Sequence, residues 1–334
     1  MNELRSILTE QLERLLEDHA GVAALRTVEA GEWPRALWDA CAAQDLPLAL
    51  VPEAAGGVGL GWGDAAALWQ VLGRHAAPVP LGETMLAARL LAEAGIEIPE
   101  GPLALSLEGR PAPFGRHAAY LVLVKGARIG LQAALAGTPG ANIGREPRDA
   151  MQPGQPRARG LLPNVAGPRA GLLGLALLRA ALIAGALERA LALAVEWANT
   201  RKQFGRAIGK FQAVQQQLAA MASEVAAVQV AVAHAARAVD ARGLDAASFE
   251  IGCAKVVAGE AAGQGAAIVH QVFAAIGITE DHMLHHYTRR LWSWRDEAGS
   301  EARWAAEIGR AALSRGGDNL WADLTARDVT GPGT

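Results

Sequence analysis

Apolar residues recur at intervals of three and four along most of this chain, the spacing of one face of a helix. In residues 3–17 the positions Leu4, Ile7, Leu8, Leu12 and Leu15 share such a face. Residues 34–44 predict a second helix. The segment "LPLALVPEAAGGVGLGWGD" (46–64) is a short apolar run ending in a Gly-rich turn, and Asp64 is placed to N-cap the helix "AAALWQVLGRHA" after it. "GETMLAARLLAEAG" (82–95) predicts a further helix closed by Gly95. Residues 1–100 therefore read as an N-terminal α-helical domain.

The pattern changes near residue 101. "PLALSLEG", "AYLVLVKG" and "ARIGLQAAL" are short runs with strand-type or mixed alternation, parted by Gly and Pro. Residues 136–168 are rich in Gly, Pro and Arg and read as a loose end. Residues 101–168 thus predict a small, shortened β middle domain. Helical spacing resumes at 169–199 and again at 211–241. In the second segment Phe211, Val214, Leu218, Met221, Val225, Val228 and Val232 step by three and four. With helices at 246–275 and 299–314, residues 169–318 predict a C-terminal four-helix bundle, followed by a tail at 319–334. The fold class is mainly α with a small β insertion.

Composition narrows the possible functions. A net charge of −3 over 334 residues offers no nucleic-acid surface. The two cysteines, Cys41 and Cys253, have neither metal spacing nor the density of a disulfide framework, so a reduced, cytoplasmic setting is expected. The mixed-charge start "MNELRSILTEQLERLLEDHA" is unlike a signal peptide. Arg179, Glu188 and Arg189 interrupt the most apolar region, 171–195, so no membrane span is expected.

Four segments carry candidate chemistry. "GGVGLGWGD" (56–64) lacks both the dinucleotide-binding register and a phosphate-loop ending, and reads as a turn. "EDHMLHHY" (280–287) places His282 and His286 four apart, but no Glu lies between them and spacing fixes no third ligand, so no metal site is expected. The charge-rich "RRLWSWRDEAGSEAR" (289–303) reads as a solvated surface, with Trp292 and Trp294 packing part of it. The fourth, "TRKQFGRAIGKFQ" (200–212), joins two long helices. A passive corner needs its Gly and little else. This one adds Arg201, Gln203, Phe204 and Gln212: a fixed cation for phosphate, amides for base or sugar edges, and an aromatic face.

Taken in order, three stretches resemble the acyl-CoA dehydrogenase family of FAD-dependent enzymes. Residues 37–84 resemble its N-terminal helices. Residues 179–225 resemble its long helix, R-x-x-F-G corner and F-Q helix start. Residues 270–291 resemble its Q-x-x-G-G-x-G segment and following basic helix. The resemblance implies an α–β–α architecture whose helical bundle drives assembly into dimers or tetramers. It implies that Arg201, Gln203, Phe204 and Gln212 reach a neighbour's FAD. Gln271, Ala275 and Gly277 would line its adenosine end, and Ser300 would touch the flavin side. Acyl-CoA as substrate and an electron-transfer flavoprotein as acceptor follow from the same resemblance.

The departures are equally informative. Family dehydrogenation needs a carboxylate base, usually just before the Gly of the last corner or early in the first bundle helix. Those positions hold Ala298 and Leu175 here, with Glu297 one residue away as the weak remaining candidate. The β-region lacks the family's Thr-Glu…Gly-Ser flavin cradle, and the Gly-Gly pair reads Ala274–Ala275. The sequence therefore predicts a subunit resembling the short, degenerate chains of heteromeric bacterial steroid-type enzymes, which completes an FAD site on a catalytic partner. Two other readings fit the sequence: a self-sufficient homomeric enzyme using Glu297 or another carboxylate such as Asp296, and a helical assembly protein without flavin.

Overall fold

A computed structural model of the chain describes residues 3–163 and 166–327. Its first layer is helical: α1 (Glu3–His19), α2 (Val22–Glu29), α3 (Arg35–Ala42), α4 (Trp62–Arg74) and α5 (Leu81–Glu93). Of the face predicted for α1, Leu12 and Leu15 are buried, whereas Ile7 is exposed and the Leu4 side chain lies outside the described residues. The short α2 is an addition to the predicted set. Asp64 does not cap α4. The helix begins two residues earlier, and its free N–H groups go to Asp240, whose carboxylate accepts from Trp62 N (2.6 Å) and Gly63 N (2.8 Å). The cap is thus supplied from a helix nearly 180 positions away, beyond the reach of a local sequence pattern.

The sheet comprises β1 (Leu103–Leu107), β2 (Ala112–Pro113), β3 (Tyr120–Lys125), β4 (Arg128–Thr138) and β5 (Arg148–Leu161), in the order β1-β3-β4-β5-β2. Only β1 and β3 run parallel. Much of the predicted loose end is the long strand β5. Its Pro153 and Pro156 lie opposite Ala134 and Gln132, where the β4–β5 register shifts. Proline is tolerated there because a bulge does not need its missing N–H. Leu103, Leu105, Val122, Val124, Ile129 and Leu131 turn one face of the sheet to the core.

The second helical layer holds α6 (Ala170–Thr200), α7 (Gln212–Arg242), α8 (Ser248–Phe273), α9 (Leu284–Asp296) and α10 (Glu301–Arg315), followed by the short α11 (Leu320–Thr325). A miniature hairpin, β6 (Lys202–Gln203) and β7 (Arg206–Ala207), joins α6 to α7. The predicted seam of α7 is buried at Met221, Val225, Val228 and Val232 and partly buried at Phe211, Val214 and Leu218. The solvated reading of 289–303 is corrected. Helix α9 is largely buried, with Arg290 fully so, and it packs on both α6 and α8. Ion pairing, described below, is what allows its charges inside.

Helices α6 and α7 are long and apolar enough to cross a membrane by length and composition. The apolar window of α6 is 89% buried inside the protein, as expected of a core helix. It crosses α4 at Gly73 and Gly185, where an added methyl would overlap the backbone carbonyl of Leu182 or Gln70. One continuous apolar core joins both helical layers and the sheet.

Candidate functional site

The corner between α6 and α7 is an exposed hairpin. Its two turn residues, Phe204 and Gly205, have φ of 51° and 78°. Positive φ at both positions is the preference of Asn-Gly or Gly-Gly, not of a bulky aromatic. Phe204 is nonetheless 90% exposed, held edge-on to Phe211 at 6.1 Å, while the Arg206 guanidinium lies 4.2 Å from the Phe211 ring centre. Arg201, Gln203 and Gln212 are exposed on the same corner. Beyond this edge contact with Phe211, the exposed ring buries little in the isolated chain.

The end of α8 lies beside this corner, because Phe273 stacks on Trp197 of α6 (5.2 Å) and His282 packs on Phe273 (4.5 Å). Gln271 and Ala275 are exposed there and Gly277 is buried. Ala274 has φ 54° and ψ −141°, a conformation that favours glycine. The histidines of this stretch go to separate partners. His282 Nδ1 accepts from Leu284 N (3.1 Å), His285 Nδ1 contacts the His282 carbonyl (2.8 Å), and His286 Nδ1 contacts Glu29 (2.7 Å). Among the described residues no His, Cys, Asp and Glu group could hold a metal.

A cavity of about 610 Å³ opens between the sheet, the start of α6 and the α9–α10 turn. Both Leu175 and Ala298 line it, and so does Glu297. The structure thus brings together the three positions considered for the base. Ser300, the residue before α10, does not line the cavity. None of Arg201, Gln203, Phe204, Gln212, Gln271, Ala275 and Gly277 lines it either.

Glu297 is pinned. Its carboxylate accepts from Arg148 (2.8 and 3.0 Å), from Arg179 Nε (2.6 Å) and from Asn142 Nδ2 (3.1 Å). Burial by itself would raise its pKa, but the two guanidiniums and the amide outweigh that and hold it at about 2. A carboxylate so stabilised is a poor proton acceptor. The pinning extends across the molecule. Arg179 also donates to Glu83 on α5 (2.7 Å), and Arg148 reaches Glu146 (3.1 Å). Glu146 accepts from Trp294 Nε1 (2.9 Å), and Arg290 lies between Glu146 (3.6 Å) and Glu29 (3.4 Å). Lys255 on α8 donates to the carbonyls of Trp294 (3.1 Å) and Arg295 (2.6 Å), closing the end of α9, and burial lowers its pKa to about 8. Sequence reasoning missed Asn142, Arg148 and Arg179 as neighbours of Glu297. The available signal was Arg179 itself, a charge inside an apolar helical run.

An N-terminal helical layer, a sheet and a second helical layer around this cavity define an α–β–α architecture. Residues 2–97 match the acyl-CoA dehydrogenase N-terminal domain and residues 170–313 its C-terminal domain. The chain belongs to the acyl-CoA dehydrogenase family, an FAD-dependent oxidoreductase family. It is 34% identical to acyl-CoA dehydrogenase IpdE2 of Mycobacterium tuberculosis, over 86% of this chain and 91% of that one. Among solved structures it resembles a variant of the Tcur3481–Tcur3483 steroid ACAD, with a TM-score of 0.82, 25% identity, and coverage of 93% of this chain and 98% of that one. It also resembles the ChsE4–ChsE5 complex of Mycobacterium tuberculosis, with a TM-score of 0.77, 25% identity, and coverage of 94% and 98%.

Arg201 is exposed and forms no ion pair among the described residues, with aromatic and amide side chains beside it. Apolar side chains, Leu175 and Ala298, stand at both expected base positions, with Glu297 beside them.

Proposed function

We propose that this chain is a subunit of a heteromeric, steroid-type acyl-CoA dehydrogenase that completes an FAD site on a partner chain without supplying the base. One observation carries the reading: Leu175 and Ala298 line the same cavity, while Glu297 beside them is held by two arginines. To take a proton Glu297 must give up charge-assisted bonds to both Arg148 and Arg179, the interactions that hold its pKa at about 2. The self-sufficient reading through Glu297 is disfavoured on that ground. Asp296 does not line the cavity, so it gains nothing from the geometry.

In this reading Arg201 binds the pyrophosphate of the partner-held FAD, and Gln203, Phe204 and Gln212 orient it. Gln271 and the backbone at Ala275 and Gly277 line the adenosine end, with Ser300 nearer the flavin. Bound FAD supplies the hydride acceptor for α,β-dehydrogenation of an acyl-CoA thioester, and an electron-transfer flavoprotein then takes the electrons. Helix α7 provides the assembly surface. Gln216, Ala219, Ala220, Ser223, Ala227 and Val230 form an exposed, small-residue face opposite its buried seam. The names of the similar steroid enzyme and of the ChsE4–ChsE5 complex support this assignment.

The test is to purify the chain alone and together with a candidate longer homologue that carries the missing Glu. Flavin absorbance and acyl-CoA-dependent bleaching should require both chains. Full FAD occupancy and turnover by this chain alone would overturn the reading. An assembly protein without flavin would show no FAD in any complex and no response to Arg201→Ala.

A further inference from the structure

The sheet has a second face, turned away from the core. Part of it is filled by the small cluster Ala104, Ala112 and Leu121. The rest is an open hollow of about 530 Å³ over β3, β4 and β5. Strand register gives its plan. Lys125, Arg128 and Leu161 lie side by side in one cross-strand row, and Leu123, Gly130 and Arg159 in the next. Leu121, Gln132 and Pro156 follow, where the register shifts. Gly130, at the centre, has no side chain. A methyl added there would meet nothing nearer than the Ala158 carbonyl oxygen at 3.8 Å. Glycine inside a strand weakens it, and often marks a place where another molecule approaches the backbone. The sheet separates this hollow from the cavity described above: Val124 lines that cavity, and its neighbours Leu123 and Lys125 line this one.

The groups without partners around the hollow are donors. Lys125, Arg128 and Arg159 are exposed and form no ion pair among the described residues. Gln132 is only 7% exposed, and its buried Nε2 has no hydrogen-bond partner. A buried N–H left unpaired is costly, so an acceptor placed in the hollow would be bound favourably. No Asp or Glu lines the hollow to answer the three cations. The matching ligand head therefore carries acceptor oxygens and more than one negative charge. A diphosphate meets both conditions, and guanidiniums fit its oxygens in bidentate fashion. Leu123, Pro156 and Leu161 complete the wall and suit an apolar body, Leu161 being 68% exposed without one. The volume is that of a small-molecule site. We propose that the outer face of the sheet binds an organic diphosphate. Its head lies among Lys125, Arg128 and Arg159, one oxygen accepts from Gln132, and its apolar body covers Gly130 between Leu123 and Leu161. Binding makes and breaks no covalent bond.

The experiment is isothermal titration calorimetry of the full-length chain with geranyl diphosphate, inorganic pyrophosphate and geraniol. Geranyl diphosphate should bind saturably at one equivalent, pyrophosphate more weakly, and geraniol not at all. The double variant Arg128→Ser with Arg159→Ser, confined to exposed side chains, should lower the affinity for geranyl diphosphate about tenfold or more. Gln132→Leu should weaken binding while the melting temperature holds or rises, because it removes a buried amide that the fold leaves unpaired. A purely structural Gln132 would show the opposite pattern. No saturable binding of geranyl diphosphate, or an affinity unchanged in either variant, overturns the inference. Co-sedimentation with phosphatidic acid vesicles without binding of the soluble diphosphate assigns the face to a membrane and overturns it equally. Neither FAD nor acyl-CoA enters these titrations, so their outcome leaves the proposed function untouched.

Discussion

Arg179 Nε and Glu297 meet at 2.6 Å although 118 positions separate them, and their contact joins the middle of the chain to the turn after α9. Removing either partner leaves the other charged and buried. Arg179→Leu should therefore destabilise the fold by about 3–5 kcal/mol, measured by urea unfolding. Arg179→Lys should recover only part of this, because an ammonium cannot donate to Glu83 and Glu297 with the planar fork of a guanidinium.

The same contact predicts an acid limit. Glu297 and Glu29 titrate near 2 in the folded chain, below the 4.5 of a free glutamate. For Glu29, burial works to raise the value, and the His286, Arg290 and Arg289 partners overcome it. Between those two pH values the unfolded chain binds more protons than the folded one. Stability from these groups is thus complete above pH about 4.5 and declines as pH falls towards 2. Thermal melts across this range should show the decline, and Glu297→Gln should flatten it while lowering stability at neutral pH.

Asp240 caps α4 from α7, so Asp240→Ala leaves two helix N–H groups without an acceptor. A loss of about 1–2 kcal/mol is expected in denaturant unfolding. Asp64→Ala should cost less, since Asp64 lies inside the first turn and its ion pair to Arg5 is long at 3.8 Å.

Ala274→Gly should stabilise the chain by about 1 kcal/mol, because it removes a left-handed strain greater than the entropy glycine adds to the unfolded state. A melting temperature that falls would show that the Ala274 side chain contributes packing that offsets the strain.

Phe204→Asn places a residue suited to the two-residue turn and takes an exposed ring out of water. The isolated chain should gain about 1 kcal/mol by unfolding measurements. Flavin retention by the complex with its partner should fall at the same time. Gain in one and loss in the other would mark Phe204 as kept for a contact outside this chain.

The helices were legible wherever an apolar face repeats, as in α1, α6 and α7, because that periodicity is a local property. The strand β5 was not. Its Pro153 and Pro156 imitate a loop and make sense only opposite the bulges of β4. The buried character of α9 was hidden for a related reason. Arg289, Arg290 and Arg295 read as surface until their partners Glu29, Glu146 and Glu301 are known, and two of those three come from distant segments. Within the candidate site, the corner residues stood out by type alone. The pairing of Leu175 with Ala298 became expected only through family resemblance, and the pinning of Glu297 required the fold.

The crossing of α4 and α6 at Gly73 and Gly185 has a consequence for how the molecule comes apart. With backbone against backbone there is no side chain to loosen first, so the two helical layers separate completely or not at all. Calorimetry should record a single transition, and a fragment ending near residue 100 should remain a collapsed, protease-sensitive chain. Such a protein cannot exchange its front and back halves with those of its relatives as independent modules. The seam between the halves is inherited as one piece.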